Sequence, residues 1–179
     1  VGSAGQVLTS NGAGALPTFQ SNPSGAGAMV FLASATAASS STIDFTASID
    51  GTYGLYMVKY TNLIPTTNAV ALWCRLKTGG SFASGASDYG YSSVIVTTAT
   101  SSNADSKIVL VTSSYIPNTS TKGASGSIDL PNPSNTTHYK MIYHRAGTFV
   151  TGIGGVYPYA GAGGLNSAVT AVDGIQLLM

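Results

Sequence analysis

The sequence predicts an all-β protein, an antiparallel β-sandwich of jelly-roll-like type carried behind a short extended N-terminal stem. Three observations predict it. First, the strong helix formers are scarce: there is no Glu anywhere, and Lys and Arg together number 7 in 179 residues. No window repeats apolar residues at helical spacing for three turns. Second, short β-rich runs alternate with turn clusters along nearly the whole chain. Third, several of those runs alternate apolar and polar residues with a period of two, the mark of a strand with one buried face.

The predicted strands of the head run near Met29–Ser34, Ser41–Thr46, Leu55–Asn62, Val70–Thr78, Tyr91–Thr97, Lys107–Thr112, Ser125–Leu130, His138–Arg145, Thr148–Tyr157 and Ala168–Met179. Between them lie Asp50-Gly51, Pro65-Thr66-Thr67-Asn68, Gly79-Gly80, Ser101-Ser102-Asn103, Pro117-Asn118, Pro131-Asn132-Pro133 and Gly161-Ala162-Gly163-Gly164. All are turn or loop chemistry. In Val70–Thr78, Val70, Leu72, Cys74 and Leu76 form the core face, and Ala71, Trp73, Arg75 and Lys77 the other. In Leu55–Asn62, Tyr56, Val58 and Tyr60 line up on one side. In His138–Arg145, Tyr139, Met141 and Tyr143 oppose His138, Lys140, Ile142 and His144, which makes Tyr a major core residue. The apolar ending Ile175–Met179 implies a C-terminus pinned in a sheet.

The stem is expected over residues 1–26 and the head over 27–179. In the stem only Val7, Leu8, Leu16 and Phe19 are sizeable apolar groups. Gln6–Ser10 reads as a strand, Asn11-Gly12-Ala13-Gly14 as a turn, and Thr18–Gln20 as the partner strand. A two-stranded hairpin cannot bury its own apolar residues, so it needs another chain or the head. The chain starts at Val1 without an initiator Met, which reads as a piece of something longer. Its start lacks the layout of a signal peptide.

Charge is sparse, at 7% of residues with a net charge of +1. Ordinary domains carry about 25% charged residues. Nothing here is an electrostatic footprint for nucleic acid, and no apolar run is long enough for a membrane-spanning helix. A surface of Ser, Thr, Asn and Gly suits an extracellular structural part. The single Cys74 lies in an apolar run and reads as a buried, inert thiol.

The segment from Gly2 to Gln20, Gly2-Ser3-Ala4-Gly5-Gln6-Val7-Leu8-Thr9-Ser10-Asn11-Gly12-Ala13-Gly14-Ala15-Leu16-Pro17-Thr18-Phe19-Gln20, fits the pattern G-x-x-G-Q-V-L-x-S-x-G-x-G-x-x-P-x-(W/F). It resembles a segment common in bacteriophage tail-fibre and related tail proteins, with Phe19 where Trp is frequent. Ile43–Thr46, Ile49–Tyr53, Tyr60–Pro65 and Gly174–Leu178 resemble, more loosely, the β-rich distal domains that follow it. The resemblance implies the distal, receptor-binding domain of a tail fibre, located in the virion and working outside the cell as a homotrimer. It implies as partners the rest of the fibre and a host cell-surface glycan or outer-membrane receptor, with no nucleic acid and no membrane insertion. Three identical tips raise avidity by about 10²–10⁴ over one. Two alternatives stand beside it: a purely structural fibre or collar segment, and a polysaccharide depolymerase tip.

No catalytic constellation is expected, and neither a cofactor nor a metal. His138 and His144, if on one strand, lie about 20 Å apart, too far to share an ion. Asp50, Asp88 and Asp105 sit in turns, where Asp is expected on backbone grounds, rather than as a glycosidase pair. No Ser lies in a nucleophile elbow, and Gly152-Ile153-Gly154-Gly155 and Gly161–Gly164 lack the Lys of a phosphate loop. The sequons at Asn118 and Asn135 mark exposed loops. For binding, Tyr89, Tyr91, Tyr157 and Tyr159 are the candidate sugar-stacking rings, the competing reading being that they pack strand ends. Val7, Leu8 and Phe19 in the stem, with Trp73 and Arg75 in the head, are the candidate subunit-interface residues. A ligand face remains the second reading of Trp73 and Arg75.

Overall fold

The computed structural model describes residues 2–21, 29–95, 98–150, 154–166 and 169–179, without the Ser114 side chain. Among these every regular element is a strand. The chain divides into two compact units, Val1–Ala33 and Ser34–Met179. The expected stem boundary near Ala26 lies outside the described residues, as do Gly152 and Ile153.

The first unit holds one antiparallel hairpin, β1 (Gln6–Thr9) with β2 (Thr18–Ser21), in the pairing the sequence suggests. Asn11 fixes its turn, donating through Nδ2 to the Leu16 carbonyl at 2.8 Å. Met29–Ala33 forms no strand, contrary to expectation; Met29, Val30, Phe31 and Leu32 are all exposed. β-propensity alone does not make a strand without a pairing partner.

Among the described residues the second unit holds eleven strands in two antiparallel sheets. They are β3 (Thr42–Phe45), β4 (Leu55–Leu63), β5 (Val70–Thr78), β6 (Ser81–Phe82), β7 (Tyr89–Ile95), β8 (Thr98–Asp105), β9 (Ile108–Ile116), β10 (Ala124–Pro131), β11 (Met141–Val150), β12 (Gly155–Leu165) and β13 (Val172–Leu178). One sheet has the order β4-β10-β11-β12-β7-β8. The other runs β3-β13-β5, with β6 and β9 both paired to β5. Leu72, Cys74, Leu76, Leu110 and Ile175 of the second sheet share one core cluster with Tyr56, Ile128, Leu130 and Ile142 of the first, as in a β-sandwich.

The turn chemistry explains much of the connectivity. β5 and β6 are joined by Gly79-Gly80, with φ of 58° and 90°. Two positive φ values define the type I′ turn that suits strand twist, and only Gly adopts them without strain. At Asp50-Gly51 the carboxylate Oδ1 accepts from Thr52 N–H at 3.0 Å and from the Tyr56 hydroxyl at 2.9 Å. That is the polar partner a buried Tyr requires.

Several further expectations need correction, among them the single strand Thr148–Tyr157, since β11 ends at Val150 and β12 starts at Gly155. Ser101-Ser102-Asn103 is inside β8 rather than a loop, because β7 supplies its backbone partners. Gly161–Gly164 is inside β12, paired on both sides with β11 and β7. The alternation in β11 is real but its faces are reversed. Lys140, Ile142 and His144 are buried, whereas Tyr139, Met141 and Tyr143 are exposed. His138 precedes β11 and is exposed, so the two histidines do not share a strand.

Each reversed polar group finds a partner inside. The Lys140 ammonium donates to the backbone carbonyls of Asn135, His138 (2.9 Å) and Val169 (3.4 Å). Three donors meet three acceptors, so the buried cation is hydrogen-bonded throughout. Burial still holds its pKa below the usual lysine value.

Candidate functional site

The second unit has a cleft of about 330 Å³ at one end of the sandwich. The start of β3, the segment after β4, the start of β5 and the last residues of β13 wall it. Ser39, Ser41, Thr42, Thr66 and Thr67 supply hydroxyls; Ile43, Leu63, Leu72 and Leu177 supply apolar surface. The walls are tied in place. Met179 N–H donates to the Ser41 carbonyl at 3.2 Å, and Ser40 Oγ turns back to the Thr42 carbonyl at 2.8 Å. Asn118 holds the opposite loop, its N–H donating to Asn68 Oδ1 at 3.3 Å.

No titratable side chain lines this cleft. Its side chains offer hydroxyls on one side and C–H surface on the other. The sequence shows both Ser/Thr clusters, Ser39–Thr42 and Thr66–Thr67, yet they look like ordinary turn punctuation. Only the pairing of β13 with β3 and β5 brings them together.

The sequence-nominated aromatics lie elsewhere and do not form one site. Tyr89 is fully buried. Its hydroxyl accepts from Leu76 N–H at 2.8 Å and lies 3.1 Å from the Ala83 carbonyl. Burial pushes this phenol well above its ordinary pKa. Tyr159 is also buried, with burial pushing its pKa up to about 12. Neither ring can reach a ligand, which corrects the expectation for both. Replacing Tyr89 by Phe is expected to cost about 2 kcal/mol, because the Leu76 N–H loses its acceptor in the core. Denaturant unfolding of Tyr89→Phe beside the parent protein checks this.

Tyr91 and Tyr157 remain partly exposed. Burial and the Asp105 carboxylate hold the Tyr91 phenol above its usual value. Tyr91 pairs with Gly163, six residues along β12 from Tyr157, so the two rings lie about 20 Å apart. Tyr157 packs on Tyr115 with ring centroids 5.6 Å apart.

Trp73 and Arg75 sit half-buried on the outer face of β5. Lys107 Nζ lies 4.8 Å from the Trp73 ring centroid, and Arg75 Nε donates to the Ser106 carbonyl at 3.0 Å. The chain thus covers part of this face itself. Val7, Leu8 and Phe19 in the hairpin are all exposed.

One Ser–His contact resembles a nucleophile and its base, with Ser93 Oγ 2.9 Å from His144 Nε2. The proton positions argue otherwise. Ser93 spends its only proton on the Val109 carbonyl, at 2.7 Å. His144 Nε2 must then carry a hydrogen and donate, so it cannot accept the serine proton. Nδ1 is left buried without a partner, and both residues are sealed from solvent. Burial lowers the His144 pKa to about 4. Among the described residues no group of three His, Cys, Asp or Glu could hold a metal ion, and no helix is long and apolar enough to cross a membrane.

No protein-family model, curated protein or solved structure matches the chain.

Proposed function

We propose that this chain is the distal part of a bacteriophage tail fibre, a homotrimeric tip that binds a host cell-surface glycan during adsorption. The observation that carries the proposal is the first unit. Its hairpin falls on the Gly2–Gln20 motif and leaves Val7, Leu8, Leu16 and Phe19 bare. Such a hairpin needs company to be stable, and two further copies supply it. The sheet orders favour a jelly-roll head. β3-β13-β5-β9 faces β4-β10 and β7-β8, with the β11–β12 hairpin inserted between the last two pairs. The hydroxyl-rimmed cleft, with apolar side chains beside its Ser and Thr, suits a sugar.

The test is binding of the fluorescently labelled full chain to a panel of bacterial cells, before and after periodate oxidation of their surface glycans. Saturable binding that periodate abolishes is the expected result. No binding to any strain of the panel would overturn the receptor reading in favour of a collar segment. Release of reducing sugar would replace it with a depolymerase.

A further inference from the structure

The walls of the cleft carry backbone strain. Among the described residues four that are not glycine have a left-handed φ: Ser39 (53°), Asn62 (51°), Ala69 (63°) and Asn132 (43°). Three of them stand at the cleft. Ser39 lines it, and Asn62 and Ala69 immediately precede its lining residues Leu63 and Val70. Asn adopts this conformation readily, whereas Ala has no side-chain hydrogen bond to offset the crowding of its Cβ. Ala69 is held there from behind. Its N–H donates to the Ile116 carbonyl at 2.9 Å. Asn118 ties the same loop, donating to Asn68 Oδ1 through its N–H (3.3 Å) and to the Thr66 carbonyl through Nδ2 (3.4 Å). Where β4 ends, Asn62 N–H donates to Ser125 Oγ at 2.9 Å, and Asn62 Oδ1 accepts from Gly123 N–H at 3.2 Å. Strain of this kind persists only where the surroundings impose it, and it gathers at ligand sites.

We infer that the loop between β4 and β5 is a pre-set ligand arm. The chain around the β9–β10 turn fixes it so that the Thr66 and Thr67 hydroxyls, with that of Thr42 on β3, bind the sugar. Ala69 and Asn118 are its positioning residues. The hydroxyls are uncommitted. Among the described residues Thr42 and Thr66 meet side chains through backbone atoms alone, accepting at their carbonyls from Ser40 Oγ and Asn118 Nδ2. Thr66 and Thr67 are exposed. The apolar part of the cleft is equally fixed, since Leu63, Leu72 and Leu177 are buried in the core cluster. The physical reason for a strained arm lies in the chemistry of hydroxyls. A neutral hydrogen bond exchanged with water yields little net free energy, so a site made of hydroxyls binds well only if its loop is ordered beforehand.

This inference rests on the proposed glycan binding and names its contact residues. The test is binding of the labelled full chain to cells whose capture of the parent is periodate-sensitive, as parent and as Thr66→Val, Thr67→Val and Ala69→Gly, with melting curves of each. Each valine keeps the branched shape and removes one hydroxyl. Each is expected to weaken binding about fivefold with the thermal midpoint unchanged. Ala69→Gly separates positioning from structure. Ala69 is exposed and does not line the cleft, so its Cβ is not a ligand contact. Gly takes this φ without strain, so the midpoint is expected to rise by about 2–4 °C. Binding is expected to fall about threefold, because the arm is freed. Valine variants that bind as the parent does overturn the cleft as the sugar's site and leave the receptor reading standing. A glycine variant that binds as the parent does, or whose midpoint does not rise, overturns the strained arm. A parent that binds no strain of the panel overturns both readings.

Discussion

Replacing Gly161 by Ala is expected to destabilise the protein by about 3 kcal/mol, lowering the thermal midpoint by roughly 6–12 °C. A Cβ at position 161 would stand 2.3 Å from the Ser92 carbonyl oxygen and 2.6 Å from His144 Nε2. Both distances are below any van der Waals contact. The backbone oxygen belongs to the β7–β12 pairing and cannot withdraw without opening the sheet. The imidazole cannot withdraw either, since it crosses over Gly161 on its way from β11 to Ser93 on β7. The missing side chain is the space the histidine occupies. Ala160 on the opposite face is exposed, and Ala160→Ser should change stability by less than about 0.5 kcal/mol. Melting curves of the two variants followed by circular dichroism distinguish the positions.

Acidification is expected to remove about 3 kcal/mol of stability between pH 6.5 and about pH 4 through His144 alone. The sign follows from linkage. In the unfolded chain the imidazole takes a proton near its ordinary pKa of 6.5; in the folded protein burial delays this to about 4. Above pH 6.5 both states are neutral and nothing is lost. Between the two values the unfolded state binds a proton the native state refuses, so unfolding is favoured as pH falls. Below about 4 both states are protonated and the loss stops growing. His144→Gln keeps an N–H for Ser93 but does not titrate. Urea unfolding free energies of the two proteins across this range should diverge by about 3 kcal/mol. Parallel curves would show that the ring reaches solvent.

These two residues also show why part of the fold was hidden in the sequence. The period-two alternation identifies β4, β5 and β11 and correctly buries Tyr56, Leu72 and Leu76. For β11 it offers one face with Tyr139, Met141 and Tyr143 and another with Lys140, Ile142 and His144. Local pattern favours burying the first. The chain buries the second because Lys140 meets three carbonyls and His144 meets Ser93, partners between 2 and 51 residues away. The Val169 and Ser93 partners, 29 and 51 residues away, fall in no local window. The glycines of β12 mislead for the same reason. A run such as Gly161–Gly164 is turn chemistry in isolation, but here Gly161 and Gly163 admit His144 and Ile108 against the sheet. The Gly79-Gly80 turn and the Asn11 turn were legible because they depend on local backbone alone.

The site was less legible than the fold. Tyr89 and Tyr159 are buried, and their neighbours in the nomination lie far apart. The cleft is built from Ser and Thr residues whose meeting depends on where β13 inserts. The hairpin motif, by contrast, is contiguous, and both its pairing and its exposed Val7, Leu8 and Phe19 follow from its residues.

The central claim is that copies of this chain assemble to cover what each leaves bare in the hairpin. Sedimentation equilibrium of the full chain at about 10 µM tests it most directly. The account predicts a species of three times the 18.0 kDa chain mass. A single species at 18.0 kDa would contradict it.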